Sequence, residues 1–355
     1  MKTKNSFRTK LSTKLDLRLK LIIATSVFAI VLTTILFVVY NMVQKDSEAS
    51  VYKSGTYKIG GGLTPASGCT YSSLTAALND LSKKSIKGPV TFVLTSAYSS
   101  RNETFPIVFK NVQGASDKNR ITIKADNKTN IKIKGSSASS ILKFEGSSFY
   151  TIDGHNSDTT TRHLSIINTC SLGRTAGIWI SSLGEKKGST NIIIKNCYIE
   201  VAKSSAENNE TFGIFMGGVK IANDYGADYI GADNDVISIV NNEFFSSLWG
   251  FWTSGTETGK VDNLIIMNNN FRSDPASDYI GMIGFDVNNL VNSKISGNYI
   301  YNITSNIGDG TFVSSGMMVG KTSNCSITKN IIKRVKFTGS KNYPPAKLEV
   351  KLQGA

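Results

Sequence analysis

The chain has 355 residues, 40% of them hydrophobic and 19% charged, with a formal net charge of +14. That balance excludes a largely disordered chain, and four cysteines at this length, with no Cys-x-x-Cys pair, exclude a disulfide-stapled miniature fold and leave zinc unsupported. Six of the fourteen net positive charges fall within residues 1–20, so the remainder is mildly basic; without a basic stripe interleaved with aromatics it does not read as a nucleic-acid binder.

Residues 1–20 form a basic segment, with Lys2, Lys4, Arg8, Lys10, Lys14, Arg18 and Lys20 against Asp16 alone. Residues 21–43 then carry no charged side chain, a run long enough to cross a bilayer as a helix. The flanking charge keeps the N-terminus in the cytoplasm and exports the body, so the segment is expected to be a transmembrane signal-anchor. A cleaved signal peptide, releasing a secreted protein, is the alternative. Ser47-Glu48-Ala49 would be its processing site, but it follows a core longer than such peptides carry and contains a charge. Residues 44–62 are polar and end in Gly60-Gly61-Gly62, which reads as a tether.

The folded domain is expected over 63–340. Leu74, Ala77, Leu78 and Leu81 recur with helical period behind Ser72 and Ser73, predicting one short helix that covers the open end of a stack. Val90–Leu94, Ile107–Phe109, Ile121–Ile123, Ile131–Ile133, Ile141–Phe144 and Tyr150–Ile152 read as short strands bounded by Gly, Asn, Asp or Ser. From Gly177 onward a two-part phrase repeats five times. Its first part is a glycine opening an apolar triplet, at Gly177, Gly213, Gly250, Gly281 and Gly316. The second is Ile-x-x-Asn-x-apolar, at Ile193/Asn196, Ile239/Asn242, Ile266/Asn269, Ile295/Asn298 and Ile327/Asn330. Repeats irregular in length but regular in order indicate stacked coils whose loops vary, each lending strands to parallel sheets of an all-β solenoid. Residues 341–355, with Pro344-Pro345 and a final Leu348-Glu349-Val350, read as a tail, and it stays open whether the chain is a fragment of something longer.

Tyr71-Ser72-Ser73-Leu74-Thr75-Ala76-Ala77, Gly88-Pro89-Val90-Thr91-Phe92, Ile121-Thr122-Ile123-Lys124 and Tyr150-Thr151-Ile152-Asp153-Gly154 together resemble the opening of right-handed parallel β-helix proteins of the pectate-lyase-like superfamily. More narrowly they are similar to β-helix segments of large bacterial cell-surface and secreted proteins of the Bacteroidota type. The resemblance spans roughly residues 57–335 and implies the fold. It does not imply one activity, since the fold hosts pectate lyases, polygalacturonases, pectin esterases, tailspikes and adhesins.

Carbohydrate cleavage needs placed proton donors and acceptors, or a calcium-bound carboxylate cluster beside a base. The polygalacturonase pattern is absent; Asp153-Gly154-His155 comes nearest and reads as an Asp-Gly turn with His155 exposed in a loop, while no second His or carboxylate stands at ligand spacing from His163. The asparagine column Asn196, Asn242, Asn269, Asn298 and Asn330 reads as an internal amide ladder, the role the resemblance also implies. Counting from each glycine, Trp179, Phe215 and Trp252 fall on the outward side of three consecutive coils, a candidate stacking surface for sugar rings; the alternative is that loops cover them or that the facing is reversed. The acidic insertion carrying Asp224, Asp228, Asp233 and Asp235 offers hard oxygen ligands of the kind that suit calcium, or is a solvated loop. Cys69, Cys170, Cys197 and Cys325 read as small core fillers. The functional expectation is a membrane-anchored, extracytoplasmic β-helix that binds polysaccharide or another surface polymer, or acts as an adhesin or stalk. The alternative is a polysaccharide lyase or glycoside hydrolase with an unrecognised site.

Overall fold

A computed structural model describes residues 19–38 apart from 24, then 50–126, 129–155, 162–203, 210–222, 226–271, 280–305 and 314–338. The chain divides into two compact units, Met1–Ser50 and Val51–Ala355. In the first, Leu19–Val38 is a helix of 20 residues with mean hydropathy 2.7, long and apolar enough to cross a membrane. The Thr25, Ser26, Thr33 and Thr34 hydroxyls donate to carbonyls one turn back, so these donors are satisfied within the helix. A span and a signal sequence both fit this helix; the basic segment before it and the Ser47–Ala49 site lie outside the described residues.

The second unit is an all-β parallel β-helix, right-handed as crossovers between parallel strands are. From Ile107 on, each coil passes through three sheets in turn. Sheet 1 has seven strands, from Ile107–Phe109 to Ser315–Val319; sheet 2 has nine, from Gly55–Ile59 to Ser326–Thr328; sheet 3 has seven, from Ile131–Gly135 to Ile331–Lys333. Gly55–Ile59 pairs with Val90–Leu94. The sequence reading placed it in the tether, but its backbone completes the first coil. The predicted cap is helix Leu74–Leu81, whose Ser73 side chain accepts the Ala76 N–H. The Glu103 carboxylate takes the Leu74 and Thr75 N–H groups, satisfying two further donors with a charge suited to that end of the helix. Leu74, Ala77, Leu78 and Leu81 close the apolar interior.

The repeat holds, with its register corrected in two places. Inward-facing residues of sheet 2 form one column: Phe92, Ile123, Ile152, Ile194, Ile239, Ile266, Ile295 and Ile327. Ile194, not Ile193, is therefore the equivalent of Ile239. One residue of slip exchanges the two faces of a strand. The second correction concerns Gly281: strand pairing aligns Gly284, not Gly281, with Gly250 and Gly316. This glycine column faces the inward side chains of sheet 3 with no room for a side chain. A Cβ on Gly250 would lie 2.3 Å from the Gly284 carbonyl oxygen and 2.5 Å from the Phe271 ring.

Between sheets 2 and 3 the chain turns through a left-handed residue: Asn196, Asn241, Asn268, Gly297 and Lys329, with φ between 55° and 70°. The next residue points inward. Asn242, Asn269, Asn298 and Asn330 occupy that position and form the predicted ladder, but Asn196 does not; Cys197 takes its place, donating its N–H to Asn242 Oδ1 at 3.0 Å. Each internal amide oxygen receives the backbone N–H of the preceding coil; the NH2 groups of Asn242, Asn269 and Asn298 each bond the next oxygen and a strand carbonyl, and that of Asn330 bonds Ile295 O. Asn196 belongs instead to an outer chain, Asn241 Nδ2 to Asn196 Oδ1 and Asn196 Nδ2 to Asp153 Oδ1, both at 2.7 Å. All four cysteines are free thiols.

Candidate functional site

The outer face of sheet 1 carries the in-register column Lys143, Trp179, Phe215, Trp252, Asp286 and Met318. The three aromatic side chains do leave the solenoid interior, but they are not exposed. Trp179 is 7% accessible, and Phe215 and Trp252 are fully buried, in a second apolar cluster with Phe212, Trp249 and Ile283. Phe215 and Trp252 stack at 4.8 Å with planes 2° apart, and Phe212 stacks on Trp249 at 5.2 Å. Their cover is the acidic insertion after the Phe215 strand. Its Ile221 and Ile230 pack on the rings, and Gly218 O accepts both the Trp179 indole N–H and the Ser181 hydroxyl. Burying such rings contributes about 1.5–3 kcal/mol each, which explains why the insertion folds down. Trp179, Phe215 and Trp252 are thus the centre of a satellite core, and the exposed stacking surface expected of them is corrected accordingly.

The insertion's acids are dispersed. Asp228 pairs with Lys220 at 2.6 Å, Asp233 accepts the Lys186 N–H, and Asp235 accepts the Asp262 N–H at 2.8 Å. Burial pushes the Asp235 carboxyl up to about 6; the Asp262 N–H bond opposes the shift, and the nearby Asp262 and Asp233 charges add to it. Among the described residues no three His, Cys, Asp or Glu side chains converge as metal ligands; Asp224 lies outside those residues. His155 is half-buried rather than exposed, its N–H held by Asp153 Oδ1 at 2.9 Å in the expected Asx turn.

Sheet 3 presents the better surface. Its outward column runs Lys132, Ser165, Tyr198, Glu243, Asn270 and Tyr299, with Phe245 and Tyr301 in the adjacent column. Tyr198, Phe245, Tyr299 and Tyr301 are all half-exposed. Tyr198 and Phe245 rings lie 5.8 Å apart, as do Tyr299 and Tyr301, the latter pair nearly parallel. Arg162 extends along this face. Its guanidinium lies 5.8 Å from the Tyr198 ring centre, donates to Asn241 O and Oδ1 at 2.8 and 2.9 Å, and reaches Glu243 Oε2 at 3.2 Å. Beside it opens a cleft of about 390 Å³ lined by Arg162, Asn268, Asn269, Asn270, Gly297 and Tyr299. Gly297 shapes one wall: at φ 70° it also leaves space for Asn268 Oδ1, which a Cβ would meet at 2.4 Å.

Rings at either end, about 14 Å apart across three strand spacings, thus bracket a polar middle of Arg162, Glu243 and Asn270. Flat apolar faces flanking donors and acceptors form a surface suited to polyhydroxylated rings. These residues were not singled out in the sequence; Tyr198 only closes the first copy of the repeated Ile-x-x-Asn-x-apolar phrase.

No family model matches the chain, and no curated protein matches it. Among solved structures it is similar to pectin methylesterase from Aspergillus niger. The deglycosylated form shows 12% identity, with 80% of this chain and 88% of that chain covered and a TM-score of 0.35. The penultimately deglycosylated form shows 13%, 87% and 94%, at 0.35. It is also similar to alginate lyase from Paenibacillus sp. str. FPU-7, at 13% identity, with 74% and 97% covered and a TM-score of 0.22.

Proposed function

We propose that this chain is a membrane-anchored, extracytoplasmic β-helix that binds an extended polysaccharide along the outer face of sheet 3. The observation that carries the reading is the in-register set of half-exposed rings, Tyr198, Phe245, Tyr299 and Tyr301, beside the Arg162 cleft. Ring stacking gives sequence-tolerant affinity for sugar faces, and the polar groups between the rings fix orientation. The anchor rests on the apolar helix Leu19–Val38 and the basic segment before it.

A glycan panel incubated with the detergent-solubilised protein, read for binding and for product release, tests the function. Tyr299→Ala and Tyr198→Ala should each weaken binding with little change in melting temperature. Release of unsaturated or reducing ends would replace binding by a lyase or hydrolase, and unaltered affinity in both variants would remove sheet 3 as the site. Retention of the protein in carbonate-washed membranes with its N-terminus intact supports the anchor; a soluble species beginning near Ser50 would show a cleaved signal.

A further inference from the structure

Resting on the anchor reading of Leu19–Val38, we propose that Lys53, Lys83 and Lys87 form an anionic-lipid site that holds the first coil against the headgroups of the bilayer the helix spans. The observation behind it is unpaired charge gathered where the chain enters the solenoid. Residues 51–88 contain five lysines against Asp80 alone. Val51–Tyr52 and Ser85–Ile86 pair in parallel, with Tyr52 opposite Ile86. The two segments stay close beyond that pair, since a Cβ on Gly88 would lie 2.8 Å from Ser54 Cβ. Lys53 and Lys87 therefore occupy facing positions on strands about 4.8 Å apart, where like charges repel. Lys83, just past the capping helix, is exposed as they are. Among the described residues none of these three lysines makes an ion pair; Lys84, by contrast, is neutralised by Asp80 at 2.8 Å and lies over the Tyr52 ring.

Two features favour a lipid surface over a soluble anion. A small anion is held by donors converging from buried positions, whereas these ammonium groups are exposed point charges on flexible stems, each with three N–H donors to offer a phosphodiester. Headgroups that diffuse in the plane of a bilayer adjust to such donors. The second feature is reach. Residues 39–50 join the apolar helix to Val51 and extend to about 40 Å at most. That tether keeps the lysines at high effective concentration near the headgroups, where each multiplies the docked population by about fivefold. Val51, exposed opposite Ser85, places an apolar side chain at the same surface.

The test is amide hydrogen exchange of the full-length protein in nanodiscs of phosphatidylcholine alone and of phosphatidylcholine mixed equally with phosphatidylglycerol. Amides of residues 51–54 and 83–88 should exchange at least about fivefold more slowly in the anionic discs, and salt at about 1 M should remove the difference. Combining Lys53→Gln, Lys83→Gln and Lys87→Gln should abolish the protection. Combining Lys132→Gln with Lys134→Gln, which removes two exposed charges from sheet 3, should preserve it. Lys87→Gln alone serves should the triple variant prove unstable, and should weaken docking by about fivefold. Equal exchange in both discs, or protection that persists at high salt, would overturn the docking, while slow exchange across residues 21–38 would still uphold the anchor. Loss of residues 21–38 from the mature chain would overturn both. Stronger protection of the same amides by soluble polyphosphate in neutral discs would reassign the lysines to a polymeric anion and overturn the lipid site.

Discussion

Asn269→Leu tests the internal ladder, since its consequences can be counted atom by atom. Asn269 Oδ1 accepts the Asn242 backbone N–H at 2.9 Å and the Asn242 side-chain amide at 3.2 Å, while its Nδ2 donates to Ile239 O at 2.8 Å and Asn298 Oδ1 at 3.0 Å. Leucine has similar bulk but none of these groups. Asn242, fully buried, loses the acceptor for its backbone N–H, at about 1–3 kcal/mol. Asn242 Nδ2 keeps Ile194 O, Asn298 Oδ1 keeps the residue 269 N–H, and Ile239 O loses one donor, so these three groups suffer partial losses of about 0.5–1.5 kcal/mol together. The expected destabilisation is about 2–4 kcal/mol, read as a shift of the denaturant midpoint at constant slope. Asn330→Leu is the internal comparison: its site is half-exposed, so water can replace the lost partners and the shift should be smaller. Wild-type stability for Asn269→Leu, or equal shifts for the two variants, would refute the ladder as a source of stability.

Gly250→Ala forces a Cβ against backbone and ring, and should lower stability by at least about 1–3 kcal/mol in thermal melts, whereas Gly62→Ala, with open space, should be silent. Val236 is a β-branched residue held at φ 56° with 44% of its surface exposed, so Val236→Asn should raise stability by about 1 kcal/mol; an unchanged melting temperature would mean the site is unstrained. Because the Asp235 carboxyl is raised from 3.8 to about 6, folding favours its protonated form: the contribution is present below pH 3.8 and lost as pH rises through about 6. Asp235→Asn should therefore exceed wild type at neutral pH, by on the order of 1 kcal/mol after allowing for its partial exposure, with the gap closing below about pH 4 in melts across a pH series. Trp252→Ala opens a cavity in the satellite core and should cost about 3–5 kcal/mol, measured by denaturation. Retained stability in that variant would return the ring to the surface.

The capping helix and the parallel stack were legible because each has its own period: apolar positions at helical spacing over Leu74–Leu81, and short β-branched runs punctuated by turn residues elsewhere. Register was less legible where two adequate choices stood close together. Asn196 beside Cys197, and Gly281 three residues before Gly284, satisfy the same local pattern, and only strand pairing decides between them. Exposure was not legible at all for Trp179, Phe215 and Trp252. Their direction follows from alternation within one strand, but their cover comes from Ile221 and Ile230 in an insertion whose acidic residues suggested solvent. The sheet 3 surface was missed for a related reason: Arg162 meets Asn241 across 79 residues of sequence, a separation no local motif records.

The two-residue corner between sheets 2 and 3 keeps its length and its left-handed first residue at 241–242, 268–269, 297–298 and 329–330, while the opposite loops differ widely in length. That corner works as a gauge. Residues inserted after Phe215 lengthen the contour of a coil without altering its rise, because the rise is set by strand hydrogen bonding at about 4.8 Å. Loops on the sheet 1 side can therefore be enlarged, trimmed or exchanged while the pitch of the tyrosines on sheet 3 stays fixed. Cover and ruler are separable parts of one chain, and an engineer could change the first without recalibrating the second.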